Sequence, residues 1–130
     1  MARRPREPLG PPSARVADGR TRLRFVPACR LTITVASGST WNHRPLYGEI
    51  VRRAKAYGLG SATVFRAVEG FGPDGVIATT RILSLADHLP LQIVALDEEE
   101  RIRGFLGEVE PFMDAVESLV IDHVQRVVRR

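Results

Sequence analysis

The sequence predicts an α+β domain in which four antiparallel strands form one sheet and two helices cover one face of it. Segments with alternating apolar residues recur along the chain, and two segments with apolar residues every three or four positions lie between them. The resulting order is strand, helix, strand, strand, helix, strand. That order is typical of the split βαβ, or ferredoxin-like βαββαβ, sandwich. A chain of 130 residues is long enough for one such domain with a modest core.

The first strand is predicted over residues 30–36, and the first helix is predicted to begin near residue 46. The strand RLTITVA alternates apolar and threonine side chains, so its apolar residues share one face. After a loop at 37–43, apolar residues recur at a spacing of four, which predicts a helix whose stripe comprises Leu46, Ile50 and Ala54. Pro45 suits the first turn of this helix, and Gly58 suits the left-handed position after its last turn.

The middle of the chain predicts two further strands, at 61–69 and 89–97, both apolar on their two faces. Between them, GFGPDG at 70–75 has the composition of a turn, and 76–85 is either a short strand or an irregular arm. Two helices cover only one face of a four-stranded sheet. We therefore expect the second face to be covered by copies of the same chain in an obligate homo-oligomer.

The second helix and the last strand complete the domain. Asp97 and Glu100 have the spacing of a capping pair at a helix start, and Pro111 is expected to end or kink that helix. Its apolar residues recur every three or four positions and are Ile102, Phe105, Leu106, Val109, Phe112 and Met113. The final strand is predicted over 119–128.

The basic charge of the chain is concentrated at its beginning. Residues 1–30 hold eight arginines and two acidic residues, whereas the remainder is mildly acidic. The composition of this segment, rich in arginine and proline with little apolar periodicity, predicts a disordered tail over 1–29 and a folded domain over 30–130. A basic tail binds phosphates without sequence preference, so nucleic-acid binding is one hypothesis, and an extension without function is the alternative. The single cysteine and the lack of a long apolar segment favour a cytoplasmic protein.

No pattern in the sequence predicts catalysis, a cofactor or a metal site. The histidines at 43, 88 and 123 do not lie at metal-type spacings, and the single cysteine does not lie near any of them along the chain. Cys29 also has no base close to it in sequence, and the run Glu98–Glu100 is explained by helix capping. We therefore expect a binding protein rather than an enzyme.

Several segments resemble the PII-like proteins of the domain-of-unknown-function family numbered 190. They are WNHRPLY (41–47), GLGSATVFRAVEGFG (58–72), LSLADHLPLQIVALDEEERI (83–102) and FLGEVEPFMD (105–114). The resemblance covers about residues 30–128. It implies a ferredoxin-like fold, a homotrimer, and a small ligand such as an adenine nucleotide in the clefts between subunits. It also implies a long loop after the second strand that contacts a partner protein, such as a transporter.

Eight residues are candidate ligand contacts: Trp41, His43, Arg44, Arg66, Glu69, Gly70, Gly72 and Arg81. Arg66 lies on an otherwise apolar strand face, where its guanidinium needs a ligand phosphate or a carboxylate such as Glu69 or Asp97. The two glycines either expose backbone N–H groups to an anion or simply form a turn. Arg81 either binds an anion or is a solvated surface residue.

Trp41 and His43 precede a helix start, where a planar ligand or an anion is able to bind, and the alternative is that Trp41 packs on the edge of the sheet. Three functions remain open from the sequence. The chain is a PII-like signalling and regulatory protein, a scaffold oligomer that binds no ligand, or a nucleic-acid-binding module that uses the basic tail.

Overall fold

The computed structural model describes residues 22–130. The elements follow one another as β1 (Leu23–Ala36), β2 (Thr40–Trp41), β3 (Arg44–Pro45), α1 (Leu46–Tyr57), β4 (Ser61–Arg66), β5 (Glu69–Phe71), β6 (Ile77–Thr79), β7 (Pro90–Asp97), α2 (Glu99–Val109) and β8 (Val116–Arg129). Two 3-10 helices, Leu83–His88 and Glu110–Ala115, precede β7 and β8. In the described part of the chain, no helix has the length and apolar character that a membrane crossing requires.

The four long strands form one antiparallel sheet in the order β4-β7-β1-β8. The short strands form two separate hairpins, β2–β3 and β5–β6. The first and third strands of the βαββαβ unit, β1 and β7, are therefore central, and both helices lie on one face. The predicted α+β, ferredoxin-like fold is confirmed.

The core lies between this face of the sheet and the two helices. The alternating residues of the central strands are buried, as the period of two requires, and the helices contribute residues at spacings of three and four. The fully buried residues that form the centre of the core are Cys29, Leu31, Ile33, Val35, Leu46, Ile50, Leu91, Ile93, Ile102, Phe105, Val109 and Phe112.

Helix α1 ends as its sequence predicts. Gly58 adopts a left-handed conformation with φ of 91°, and its N–H donates to the carbonyl oxygens of Ala54 and Lys55, both at 3.1 Å. The N–H of Leu59 also donates to Ala54, at 3.1 Å. These bonds satisfy carbonyl groups that the helix end would otherwise leave free.

The first strand is longer than the sequence indicates. It begins at Leu23, seven residues before the expected start at Arg30, and residues 23–29 belong to the sheet rather than to the tail. Residues 23–28 pair only with the end of β8, because the pairing of β1 with β7 reaches no further than Cys29. A two-stranded ribbon leaves many side chains exposed, so the period of two is weak in the sequence there. Residues 1–21 of the expected tail lie outside the described residues.

Asp97 does not cap α2 in the predicted way. The helix begins at Glu99, and the Asp97 carboxylate accepts hydrogen bonds from the backbone N–H groups of Glu98 (2.7 Å) and Gly60 (2.8 Å). It also accepts a bond of 3.3 Å from Arg101 Nε, whose guanidinium reaches on to the carbonyl oxygen of Gly58 at 2.6 Å. Burial by itself raises the pKa of Asp97, but the two N–H groups and Arg101 outweigh it and lower that pKa.

Replacement of Asp97 by Asn is expected to reduce the free energy of unfolding by about 1–3 kcal/mol, because an amide oxygen replaces a charged acceptor. The folded-state pKa of Asp97 is depressed, so its contribution is complete above the ordinary aspartate value of about 3.9 and declines as the pH falls through the folded-state pKa. Chemical denaturation at a series of pH values measures both effects. Asp114→Asn, at an exposed aspartate of the 3-10 helix, is the matched control. Equal stability of the two variants at neutral pH would contradict this role of Asp97.

Two glycines of α2 differ in their surroundings and give a second prediction. A Cβ at Gly104 would meet the Tyr57 hydroxyl, whereas no atom lies within 4 Å of a Cβ at Gly107. Gly107→Ala is therefore expected to stabilise the protein by up to about 1 kcal/mol through helix propensity.

Gly104→Ala is expected to lose that gain. The tyrosine ring, which packs 5.7 Å from the Phe105 ring, has to move away from the interface between the helices. Thermal melting of the two variants side by side measures the difference. Equal gains in stability would show that the Tyr57 ring accommodates a methyl group at position 104 without loss of packing.

Candidate functional site

The candidate ligand residues lie at one end of the sheet. Ala36 at the end of β1 pairs with Pro90 at the start of β7, and Arg66 at the end of β4 pairs with Leu91. Val35 pairs with Val116 at the start of β8. The β2–β3 hairpin follows β1 at this end, and the β5–β6 hairpin follows β4. The structure therefore brings the predicted residues near the first hairpin, 41–44, and those near the second hairpin, 66–81, to the same end of the sheet.

The β5–β6 hairpin, residues 69–79, is named the arm here. Its tip is a turn in which the Gly75 N–H donates to the Gly72 carbonyl oxygen at 3.0 Å. Gly75 has φ of 71°, and Asp74 Oδ1 accepts from the Val76 N–H at 3.0 Å. The sequence PDG thus forms the turn that its composition predicts.

The arm exposes apolar side chains instead of burying them. Phe71 is 68% exposed and Ile77 is 60% exposed, and the adjoining Val68 is 73% exposed. In β6, Ala78 is fully buried and Thr79 nearly so. The arm is therefore packed against the domain at these two residues, whereas Phe71 and Ile77 present an apolar surface of the kind that marks interaction sites.

Two of the predicted arginines lie where the arm joins the domain. The Ala67 N–H donates to the Pro90 carbonyl oxygen, and the Thr80 N–H donates to that of Val68, both at 3.1 Å. Arg66 directly precedes Ala67, on the segment that enters the arm, and Arg81 directly follows Thr80, on the segment that leaves it. Both arginine side chains are exposed. Within residues 22–130, neither side chain has a hydrogen-bond or ion-pair partner, so the expected pairing of Arg66 with Glu69 or Asp97 does not form.

The location of Asp97 explains why it does not pair with Arg66. Asp97 lies beside Gly60, the residue before β4, whereas Arg66 is at the opposite end of that strand. Glu69 is exposed at the start of β5 and lies opposite Thr79.

The two glycines of the arm lie close to side chains of other elements. A Cβ at Gly70 would lie 3.4 Å from Pro90 Cγ, and a Cβ at Gly72 would lie 2.8 Å from Glu117 Oε2. Neither glycine has the positive φ that Gly58 and Gly75 have. Glu117, at the start of β8, is thus a neighbour of the arm that the sequence analysis did not identify, because only the fold brings β8 to this end.

The β2–β3 hairpin carries the remaining candidates. Asn42 and His43 both have positive φ, at 50° and 64°, and form a two-residue turn between the paired residues Trp41 and Arg44. The Trp41 ring contacts the Phe112 ring edge to face, with centroids 4.6 Å apart. Trp41 therefore packs on a core residue of the second 3-10 helix and not on the edge of the sheet, whereas the side chains of His43 and Arg44 are exposed.

The face of the sheet opposite the helices is named the open face. It forms a shallow depression of about 740 Å³, lined by Arg30, Thr32, Phe65, Gln92, Val94, Val120 and Asp122. Phe65 is 56% exposed and Val120 is 50% exposed. Arg30 and Asp122 form an ion pair across β1 and β8, with Nη2 and Oδ2 2.6 Å apart.

One group of side chains away from the arm has the donor atoms of a metal site: Cys29, Glu99 and His123. The expectation of no metal site depended on spacing along the chain, and the pairing of β1 with β8 brings the cysteine and the histidine together. Burial, with a smaller contribution from Glu99, raises the pKa of the Cys29 thiol. Hydrogen bonds from His123 and Arg103 lower the pKa of Glu99.

Comparison with known proteins agrees with this fold. The chain is 35% identical over 88 residues to the UPF0166 protein of Aquifex aeolicus (strain VF5), an alignment that covers 68% of this chain and 84% of that protein. The fold is similar to that of CPII, a nitrogen regulatory PII-like protein from Thiomonas intermedia K12 bound to ADP, AMP and bicarbonate. That match has a TM-score of 0.57 and 20% identity, and it covers 82% of this chain and 92% of CPII.

A protein of Thermus thermophilus that is named as PII-like and signalling has a similar fold. The TM-score is 0.55 with 19% identity, and the match covers 82% of this chain and 93% of that one. The family model described as "DUF190: Uncharacterized ACR, COG1993" matches residues 28–126. The chain therefore belongs to the DUF190 family and has the fold of PII-like proteins.

Proposed function

We propose that this protein is a PII-like regulator that acts by binding and not by catalysis. In this proposal, three copies assemble through their open faces, and a small anionic ligand, an adenine nucleotide foremost, binds at the clefts between them. The arm then changes its contacts with a partner protein, such as a transporter. The observation that carries the proposal is the pair of unneutralised arginines, Arg66 and Arg81, at the junction of the arm and the domain.

The proposed ligand class is supported by charge and by the likeness to CPII. An arginine without a carboxylate partner at the end of a strand is well suited to a phosphate, which accepts two parallel hydrogen bonds from a guanidinium. CPII, which shares this fold, is bound to ADP, AMP and bicarbonate, all of them anions. Arg66 and Arg81 flank the arm in sequence. A ligand held by these two arginines would therefore act directly on the position of the arm.

The assembly is supported by the composition of the open face. The face combines the exposed side chains of Phe65 and Val120 with the half-buried Val94 on one continuous sheet surface. A surface with apolar residues at its centre and the Arg30–Asp122 pair beside them resembles the core and rim of a subunit interface. Pairing of copies through this face would bury it and would bring the arm of one copy near the sheet of the next.

The ligand hypothesis predicts a specific loss in one variant. Calorimetric titration with ADP, AMP, ATP and bicarbonate is expected to show saturable binding of at least one of them to the wild-type protein. Arg66→Ala is expected to weaken it about 10- to 100-fold, since a charge-assisted hydrogen bond contributes about 1.5–3 kcal/mol. Arg52→Ala, which removes an exposed arginine of α1, is the matched control. Binding that is unaffected by Arg66→Ala would place the ligand elsewhere, and no binding at all would favour the scaffold hypothesis.

The assembly hypothesis predicts that substitutions at two valines of the same strand have different effects on the oligomer. Val120 and Val127 are both 50% exposed on β8, but the alternation of the strand places Val120 on the open face and Val127 on the opposite one. Val120→Asp is expected to dissociate the oligomer, because each interface would bury an unpaired charge. Val127→Asp is expected to leave the assembly unchanged. Sedimentation equilibrium distinguishes the two, and an intact oligomer in Val120→Asp would exclude the open face as the interface.

A basic cluster favours a second candidate function, the binding of nucleic acid. The ribbon of β1 and β8 ends in five arginines: Arg22, Arg24, Arg126, Arg129 and Arg130. All of them except the half-buried Arg126 are exposed. They lie at the opposite end of the sheet from the arm. If this cluster binds a nucleic acid, affinity decreases steeply with salt and survives removal of residues 1–21, whereas loss of binding on that removal would assign it to the tail.

A further inference from the structure

We propose that Cys29, Glu99 and His123 form a binding site for a transition-metal dication, with Zn²⁺ as the best fit. The site is independent of the proposed ligand site. Cys29 pairs with Asp97 at the end of β7, whereas the arm adjoins Pro90 at the start of the same strand. The two sites therefore lie toward opposite ends of the sheet.

The geometry of the sheet brings the three donors together. Cys29 and His123 are direct cross-strand partners of β1 and β8, so their side chains leave the same face of the sheet next to one another. Glu99, the first residue of α2, lies above this pair. The thiol sulfur, the imidazole nitrogen and the carboxylate oxygen all lie within 4.8 Å of one another, and His123 Nε2 is 3.1 Å from Glu99 Oε1.

These distances are close to those of a tetrahedral site. With Zn–S of about 2.3 Å and Zn–N or Zn–O of about 2.0–2.2 Å, ligands of one tetrahedral ion lie about 3.4–3.6 Å apart. The nitrogen–oxygen distance already falls near this value. Side-chain rotations that move the sulfur inward by about 1 Å would complete the set.

The chemistry of the donors selects the metal. A thiolate with an imidazole and a single carboxylate suits Zn²⁺ and its spectroscopic substitute Co²⁺, and it does not suit Mg²⁺ or Ca²⁺, which require oxygen ligands. On binding, the Cys29 thiol releases its proton to solvent, and the proton on His123 Nε2 moves to solvent or to Nδ1. The metal then lies between the freed nitrogen and the Glu99 carboxylate. Three protein ligands leave a fourth position, which the exposure of the histidine and the glutamate opens to water or to a small anion.

A neighbouring arginine competes with the metal for the carboxylate. Arg103 Nε donates to Glu99 Oε1 at 3.0 Å, and Arg103 Nη2 lies 2.9 Å from the same oxygen in an ion pair. Its positive charge also opposes a dication nearby. Arg103 is more than half exposed, so its guanidinium is able to turn into solvent when the metal binds.

Metal binding would join α2 to the long strands. The site connects the start of the helix to both strands of the β1–β8 pair at the point where the ribbon leaves the four-stranded sheet. An occupied site would therefore hold the first turn of α2 against the sheet by bonds that are stronger than the present hydrogen bonds.

Titration of the full-length, tag-free protein with Co²⁺ tests the site. One Co²⁺ per chain and a thiolate-to-cobalt charge-transfer band in the near ultraviolet are expected. Zn²⁺ is expected to displace the cobalt and remove the band. The absence of a thiolate band would overturn the proposal, because a cobalt ion held by exposed carboxylates or histidines alone does not produce it.

Two variants separate a lost ligand from a lost fold. Cys29→Ser is expected to abolish the band, and His123→Gln, at a side chain that is 67% exposed, is expected to weaken Co²⁺ binding at least about tenfold without unfolding the protein. His88→Gln, at an exposed histidine outside the cluster, is the matched control. Circular dichroism verifies the fold of each. Unchanged Co²⁺ affinity in a folded His123→Gln protein would overturn the assignment.

The competing arginine provides an independent prediction of opposite sign. Arg103→Gln removes the cation that holds Glu99, and it is expected to tighten Co²⁺ binding about two- to fivefold, the range for loss of an exposed ion pair. Weaker binding in this variant would mean that Glu99 is not a ligand and that Arg103 has another role.

Discussion

The pairing of β1 with its two neighbours is the constraint on which the rest of the structure depends. Leu31 lies opposite Ala95 of β7 on one side and Ile121 of β8 on the other, and this register directs one set of side chains to the helices. A slip by one residue would exchange that set with the polar residues of the open face. The same register places Cys29 beside His123 and Arg30 beside Asp122, so it determines the core, the open face and the proposed metal site together.

Residues 22–130 provide two α-helices for a sheet with two faces, and the second face remains exposed in the monomer. An ion pair such as Arg30–Asp122 contributes little while both partners are in water. In an interface it would be desolvated, where its geometry would specify how the copies fit together. The proposed assembly therefore depends on apolar contacts of Phe65 and Val120 for affinity and on this pair for orientation.

The end of the sheet that carries the two hairpins concentrates charge and apolar surface in a small region. The arm is attached by main-chain bonds at Ala67 and Thr80, while the side chains of Phe71 and Ile77 are mostly exposed. Attachment at the base and exposure nearer the tip suit a segment whose position responds to a bound anion. Much of this was predictable, because the PDG turn and the arginines are local features of the sequence.

The sequence by itself determined the four strands of the main sheet, the two α-helices, their order and hence the fold class, because periods of two and 3.6 residues and the chemistry of turns are local. The short hairpins and the 3-10 helices were not predicted from it. The sequence also indicated the family through contiguous motifs. Only the tertiary structure decided that Asp97 binds Gly60 and Arg101 instead of pairing with Glu100, and that β1 begins at Leu23. It alone brought Glu117 to Gly72 and joined Cys29, Glu99 and His123 across 94 positions of the chain. The physical reason is that such contacts follow from strand register and helix placement, which depend on the packing of the whole core and leave no local pattern.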